Sequence, residues 1–274
     1  MTSTHDQEHN LGVCSQLAAQ ASEAGCRMLC LPECFAFMGD SSMQSPATVA
    51  QPLNGPLMSR YKQLARDNGL WLSLGGFQEA GPDADHIHNC HIIIKANGET
   101  AATYRKIHLC DVEVPGGQVW KESSFTSPGC STTVCESPVG KLGLSVCYDL
   151  RFPQLYQELR FRGGADVLLI PSAFTKPTGS AHFELLLRSR AIECQCYVIA
   201  AAQAGQNHAN RQSWGHSCVI DPWGKVLARM DDKETGIAVA EIDSKYVADI
   251  RKRMPIATHR SAGRSSLMKG GESL

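Results

Sequence analysis

Strand-like and helix-like segments alternate along this chain, with hairpin turns between some of them, and together they predict an α/β layered fold with mixed sheets. Three observations carry that expectation. Apolar residues recur at helical spacing in several long segments, separated by short apolar runs of strand length. Asn97-Gly98 and Pro222-Trp223-Gly224 each sit between two strand-like runs, where they read as hairpin turns. No Pro- or Ser-rich linker, charge block or internal repeat divides the 274 residues, so one domain is expected over 1–274. Hairpins have no place in a purely parallel sheet, which is why the sheets should be mixed.

The elements follow in order. Residues 7–24 place Leu11, Cys14, Leu17, Ala18 and Ala21 on one helical face, and Gly25 supplies a stop. Cys26 to Leu31 reads as a buried strand ended by Pro32. Pro56 to Asn68 is a second helix closed by Gly69, and Leu70 to Leu74 a strand. His91 to Ala96 and Thr100 to Tyr104 flank Asn97-Gly98. The stretch from His108 to Glu136 is long and irregular, with Pro115-Gly116-Gly117 and Ser127-Pro128-Gly129 inside it, and loops of that length in a compact domain usually serve function. Strand Leu142 to Val146, helix Phe152 to Arg162, strand Val167 to Ile170, helix Ala181 to Cys196 and strand Tyr197 to Ala202 come next. Ser217 to Asp221 and Lys225 to Arg229 form the second hairpin. Strand Ile237 to Ile242 and a short helix from Asp243 to Met254 close the fold, and the Ser/Gly-rich tail 260–274 is expected to be mobile.

Composition narrows the function. With 43% apolar and 19% charged residues the chain can bury a large core, and a net charge of −1 argues against nucleic acid and polybasic membrane partners. No apolar run approaches the roughly 18 residues of a membrane span. The polar start, Met1 to Glu8, lacks the apolar core of a secretory signal, so the 12 cysteines are expected as reduced thiols in the cytoplasm. A longer form carrying a mitochondrial presequence fits the same reading. Metal is not expected: there is no Cys-x-x-Cys pair, and Cys194-Gln195-Cys196 has the wrong spacing for a zinc knuckle.

Cys147 stands out because it lies where an apolar strand ends and a helix is about to begin. On a turn near the positive end of a helix dipole, a thiol is expected to have a lowered pKa and to act as a nucleophile. Glu33 follows its strand directly, and Lys106 follows Thr100–Tyr104. Ligands in α/β folds collect outside the carboxyl ends of strands, so these three side chains could meet in one pocket. A carboxylate beside a thiol can take its proton, and a cation there can stabilise a developing oxyanion. Read one at a time, each has a plainer explanation: a buried small hydrophobe, a solvated acid and a solvated basic face.

The motifs resolve that choice. Leu31-Pro32-Glu33, Tyr104-Arg105-Lys106-Ile107-His108-Leu109 and Val146-Cys147-Tyr148-Asp149-Leu150-Arg151-Phe152-Pro153 occur in the order that resembles the Glu-Lys-Cys signature of the nitrilase (carbon–nitrogen hydrolase) superfamily. Pro171-Ser172-Ala173-Phe174, the stretch from His182 to Glu193, and Asp221-Pro222-Trp223-Gly224 extend the likeness over about Leu17 to Ile256.

The resemblance implies an α-β-β-α sandwich that forms four layers, and no cofactor. It implies an amidase in which Glu33 is the base, Cys147 the nucleophile, and Lys106 with the Tyr148 backbone N–H the oxyanion donors. Glu122, in Trp120-Lys121-Glu122-Ser123, takes the place of a second active-site glutamate that would orient Lys106. The branch it resembles hydrolyses deaminated glutathione to 2-oxoglutarate and cysteinylglycine. An ω-amidase acting on 2-oxoglutaramate is the alternative, and a catalytically idle scaffold or a redox-sensing thiol protein are the rivals from other classes. Arg151 suits a 2-oxo acid carboxylate and equally a structural ion pair. A homodimer or higher oligomer, joined through the helix Ala181–Cys196 and the tail, follows from the resemblance alone. Members of the family begin with a short apolar strand before the first helix. Met1-Thr2-Ser3-Thr4 stands where that strand would end, so lower stability and impaired activity are expected without it.

Overall fold

The computed structural model describes residues 1–39, 45–113 and 119–260. Helix α1 (Gln7–Glu23) is capped by the Asp6 carboxylate, which accepts from the His9 N–H, and leads into β1 (Met28–Leu31). Helix α2 (Pro56–Asn68) begins on a proline, which needs no helical donor, and stops at Gly69 with φ 62°. Strands β2 (Trp71–Ala80), β3 (Ile87–Ile94) and β4 (Thr100–Arg105) complete a first sheet of order β1-β2-β3-β4. β1 runs parallel to β2, and the other pairs are antiparallel. A small hairpin follows, β5 (Asp111–Glu113) with β6 (Val119–Lys121).

The second sheet is built from β7 (Val134–Cys135), β8 (Leu142–Leu144), β9 (Val167–Leu169) and β10 (Tyr197–Ala200), with helix α3 (Pro153–Phe161) between β8 and β9 and helix α4 (Lys176–Cys194) between β9 and β10. Hairpin β11 (Ala204–His208) and β12 (Arg211–Trp214) projects from it. β13 (Cys218–Ile220) and β14 (Val226–Arg229) finish its order, β14-β13-β10-β9-β8-β7, before helix α5 (Ser244–Arg253). Among the described residues no helix is long and apolar enough to cross a membrane.

Alternation along the strands of the first sheet sets the layers. Leu29, Leu31, Leu72, Leu74, Ile92 and Ile94 point into one core with α1 and α2. Met28, Cys30, Trp71, Ile93 and Tyr104 point the other way, into the core that holds β8, β9, β10, α3 and α4. A period of two therefore gives each strand one helix-facing and one sheet-facing side. The order of layers is helix, sheet, sheet, helix.

Several expectations need correction. Ile237 to Ile242 forms no strand, because it finds no ladder partner among the described residues. The hairpin β11–β12 was not anticipated, and the irregular region contains β5, β6 and β7. α4 begins at Lys176 rather than Ala181, running through Pro177 and Gly179. Gly179 belongs in the helix because Trp214 crosses it: a Cβ there would lie 2.3 Å from the Trp214 side chain. Pro115-Gly116-Gly117 and the tail beyond Arg260 lie outside the described residues.

Candidate active site

The two sheets each contribute one wall of a single polar cluster. Glu33 follows β1, Asn89 lies within β3 and Lys106 directly follows β4, all in the first sheet. Cys147 follows β8 in the second. Glu122 arrives from the short 3-10 turn after β6. The Lys106 ammonium donates to Glu33 Oε1 at 3.0 Å and to Glu122 Oε1 and Oε2 at 3.0 and 2.9 Å. Asn89 Nδ2 donates to the same Glu33 Oε1 at 2.9 Å and to Glu122 Oε1 at 3.1 Å, and the Cys110 N–H binds Glu122 Oε2 at 2.7 Å. Lys106, Glu33 and Glu122 are all buried.

Burial would lower the Lys106 pKa, but the carboxylates of Glu122 and Glu33 outweigh it and hold the ammonium well above its usual range. Burial would likewise raise Glu33; the Lys106 charge, with hydrogen bonds from Cys147, Lys106 and Asn89, keeps it below the usual carboxylate value. Gly76 makes this approach possible. Its φ is 69°, and a Cβ would lie 2.7 Å from Glu33 Cγ and 2.9 Å from Asn89 Oδ1.

The charge of the Glu33 carboxylate acts directly on the Cys147 thiol, and the Ala173 N–H reaches its sulfur at 3.5 Å. Cys147 has φ 45°, left-handed backbone that a β-branched or bulky residue seldom adopts, and it begins a 3-10 turn over Cys147–Arg151. Asp149 pins that turn. Its carboxylate accepts from the Val146 N–H at 2.9 Å, the Tyr104 hydroxyl at 2.8 Å and the His108 N–H at 3.1 Å. Asp149 thus ties the nucleophile's turn to the loop after Lys106.

The expected lowering of the Cys147 pKa is overturned. Burial pushes the thiol well above its usual value and the Glu33 charge adds to the rise, against weaker opposition from Lys106 and the Ala173 N–H. A five-residue turn presents too little aligned backbone to offset these effects. The resting thiol is therefore protonated and lies beside an ionised carboxylate, an arrangement in which the carboxylate can take the thiol proton.

The structure brings together Glu33, Lys106, Cys147 and Glu122, and the Tyr148 backbone follows the thiol in the same turn. Residues not singled out from the sequence also meet here. Asn89 bridges the two glutamates, Asp149 lay unremarked inside the quoted motif, and Arg211 reaches in from β12. The Arg211 Nη2 donates to the Ala173 carbonyl, its buried Nε has no hydrogen-bond partner among the described residues, and its guanidinium lies 6.0 Å from the Trp120 ring. Arg151 packs over the rings of Tyr148 and Phe174 at 5.5 and 5.3 Å. Nothing in the polar composition of β12 distinguished Arg211 from a surface arginine.

The sequence profile of the family described as "Carbon-nitrogen hydrolase" matches residues 1–252. The deaminated glutathione amidase of Bos taurus is 48% identical over 264 residues, covering 95% of this chain and 80% of that protein. The crystal structure of the C. elegans NitFhit protein superposes with a TM-score of 0.88 at 44% identity, covering 94% of this chain and 63% of that one. Saccharomyces cerevisiae Nit3, a member of branch 10 of the nitrilase superfamily, gives a TM-score of 0.81 at 31% identity, covering 93% of this chain and 91% of the other.

Proposed function

This chain belongs to the carbon–nitrogen hydrolase family, and on that premise we propose that it is an amidase releasing 2-oxoglutarate and cysteinylglycine from deaminated glutathione. The observation that carries the chemistry is the convergence of the Cys147 thiol on the Glu33 carboxylate, which is ion-paired to Lys106 at 3.0 Å. The substrate class is that of the relatives similar over 95% of the chain.

In this reading Glu33 takes the thiol proton as the sulfur attacks the amide carbon. Lys106 and the Tyr148 N–H receive the oxyanion, and Glu122 with Asn89 hold the ammonium in place. The proton on Glu33 passes to the departing amine, leaving a thioester on Cys147. Glu33 then draws a proton from water, which attacks the thioester and frees the acid and the thiol. Arg211, bonded to the carbonyl of Ala173, and Arg151, over the rings of Tyr148 and Phe174, would pair with the carboxylates of the substrate. The proposed partner in assembly is a second copy, since Leu185 and Ile192 on α4 stand 68% and 49% exposed and Trp223 63% exposed. Sedimentation that returns a monomer would remove that part.

The test is release of 2-oxoglutarate from deaminated glutathione and from 2-oxoglutaramate, with Cys147→Ala as the control. Turnover of the peptide substrate that vanishes in the variant supports the reading. Preference for 2-oxoglutaramate moves it to ω-amidase, and no turnover by folded protein overturns it.

A further inference from the structure

Asp149 stands between the two groups that the proposed reaction needs at a fixed separation. Its Oδ2 accepts from the Val146 N–H at 2.9 Å, next to Cys147, and from the Tyr104 hydroxyl at 2.8 Å, on the strand that leads to Lys106. Its Oδ1 accepts from the backbone N–H of His108 at 3.1 Å and from the His108 ring Nδ1 at 2.7 Å. These donors fill the acceptor sites of a carboxylate that is fully buried. Nδ1 carries its hydrogen here, since a carboxylate accepts and does not donate.

The His108 ring is fixed from a second direction. It stacks on Phe152 with centroids 3.7 Å apart and planes 7° from parallel. The Phe152 N–H in turn bonds the Asp149 carbonyl at 2.9 Å, closing the turn Cys147–Arg151. The imidazole therefore meets that turn at its middle and at its end, and joins it to the backbone just beyond Lys106. Such a turn does not hold its shape unaided. Cys147 has φ 45°, and left-handed backbone at a residue other than glycine persists where surrounding contacts impose it. Those contacts are the Cys147 N–H on the Pro171 carbonyl at 2.8 Å and the bonds made by Asp149. A buried Asp149 oxygen deprived of its ring donor shifts to find another, and the turn shifts with it.

We propose that His108 is a positioning residue, which through Asp149 sets the turn carrying Cys147 at its working separation from Lys106. This rests on the reading of Cys147 as the nucleophile of an amidase. A plainer role, filling space against Phe152, asks only for a flat ring at this position. The positioning role asks instead for a hydrogen-bond donor where Nδ1 stands, and the two demands can be met separately.

His108→Phe keeps a ring on Phe152 and loses the donor; His108→Asn loses the ring and offers its Nδ2 hydrogen from near the place of Nδ1. The readouts are kcat and KM on deaminated glutathione, and the rate at which iodoacetamide alkylates Cys147 in the folded protein, followed by mass spectrometry of the peptide that contains it. In His108→Phe, kcat and the alkylation rate are expected to fall together by about tenfold or more, with KM little changed. His108→Asn should recover most of both rates. Parent rates in His108→Phe, an asparagine variant as slow as the phenylalanine one, or a loss confined to KM overturns the proposal. Alkylation needs no amide substrate, so it decides the positioning role even where turnover fails and the amidase reading with it. Should His108→Phe not fold, His108→Ala takes its place beside His108→Asn.

Discussion

Lys106 is the residue on which the cluster turns, because its single ammonium separates two carboxylates that would otherwise repel at close range. With Lys106 as the proposed oxyanion donor, Lys106→Ala is expected to lower kcat by about 10²–10³, measured by 2-oxoglutarate release. The pH profile carries a second expectation. Glu33 is held below the usual carboxylate range, so its charged form persists to low pH, and the stability it adds is present above its unfolded value of about 4.3 and lost as pH falls through the lower folded value. The acid limb of kcat/KM therefore lies below the usual carboxylate range. In Lys106→Met the largest opposition to burial at Glu33 is removed, leaving Asn89 among the weaker ones, and the limb moves upward; an unmoved limb would show that Lys106 does not set the base. Arg211→Ala is expected to raise KM more than it lowers kcat, since its guanidinium touches the Ala173 carbonyl and not the sulfur. Glu33, Lys106 and Cys147 became candidates because each follows a strand, and the motifs around them, not that placement, chose between this reading and the plainer ones. The direction of the Cys147 pKa was not legible, since the desolvation that decides it comes from residues distant in sequence.

Elements were legible where their own pattern dictates them and obscure where packing does. α1, α2 and α3 match their apolar periodicity to within a few residues, and both Gly69 and Asn97-Gly98 mark their turns. β11–β12 is polar and earns its place through neighbours, including a bridge from Ser213 to Thr175 at the start of α4. The segment 237–242 shows the reverse: it has a strand's period and lacks a strand's partner. His91 of β3 joins elements of both sheets, its ring bonded to the Ser73 hydroxyl of β2 at 2.7 Å and to the Ser145 carbonyl after β8 at 2.9 Å. Burial lowers its pKa to about 4. The unfolded chain thus binds a proton near pH 6.5 that the folded chain refuses, so stability is lost as pH falls from about 6.5 toward 4, by on the order of 3 kcal/mol. Denaturant titrations across that range should show a shallower pH dependence in His91→Gln than in the parent. Parallel curves would mean that other groups govern acid unfolding.

At the scale of the molecule, the two cores have different tasks. One ties α1 and α2 to the first sheet; the other lies between the sheets and under α3 and α4. The polar cluster depends on the second, since Glu33, Asn89 and Lys106 come from the first sheet and Cys147 from its partner. Ile93 is fully buried in the core between the sheets, two residues along β3 from His91 and four from Asn89. Leu64 is buried beneath α2, on the far side of the first sheet. Truncating either to alanine opens a cavity and should destabilise the protein by about 2–5 kcal/mol. Their effects on catalysis should differ. Ile93→Ala lets the sheets shift against each other, and a shift of even a fraction of an ångström lengthens the contact between Glu33 and Cys147, so kcat of the folded protein falls. Leu64→Ala leaves that interface intact, and kcat stays near that of the parent. The comparison is made well below both melting temperatures, with the folded fraction set by circular dichroism. Equal kcat values for the two variants would show that the cluster is held by its own hydrogen bonds and owes nothing to the packing of one sheet on the other.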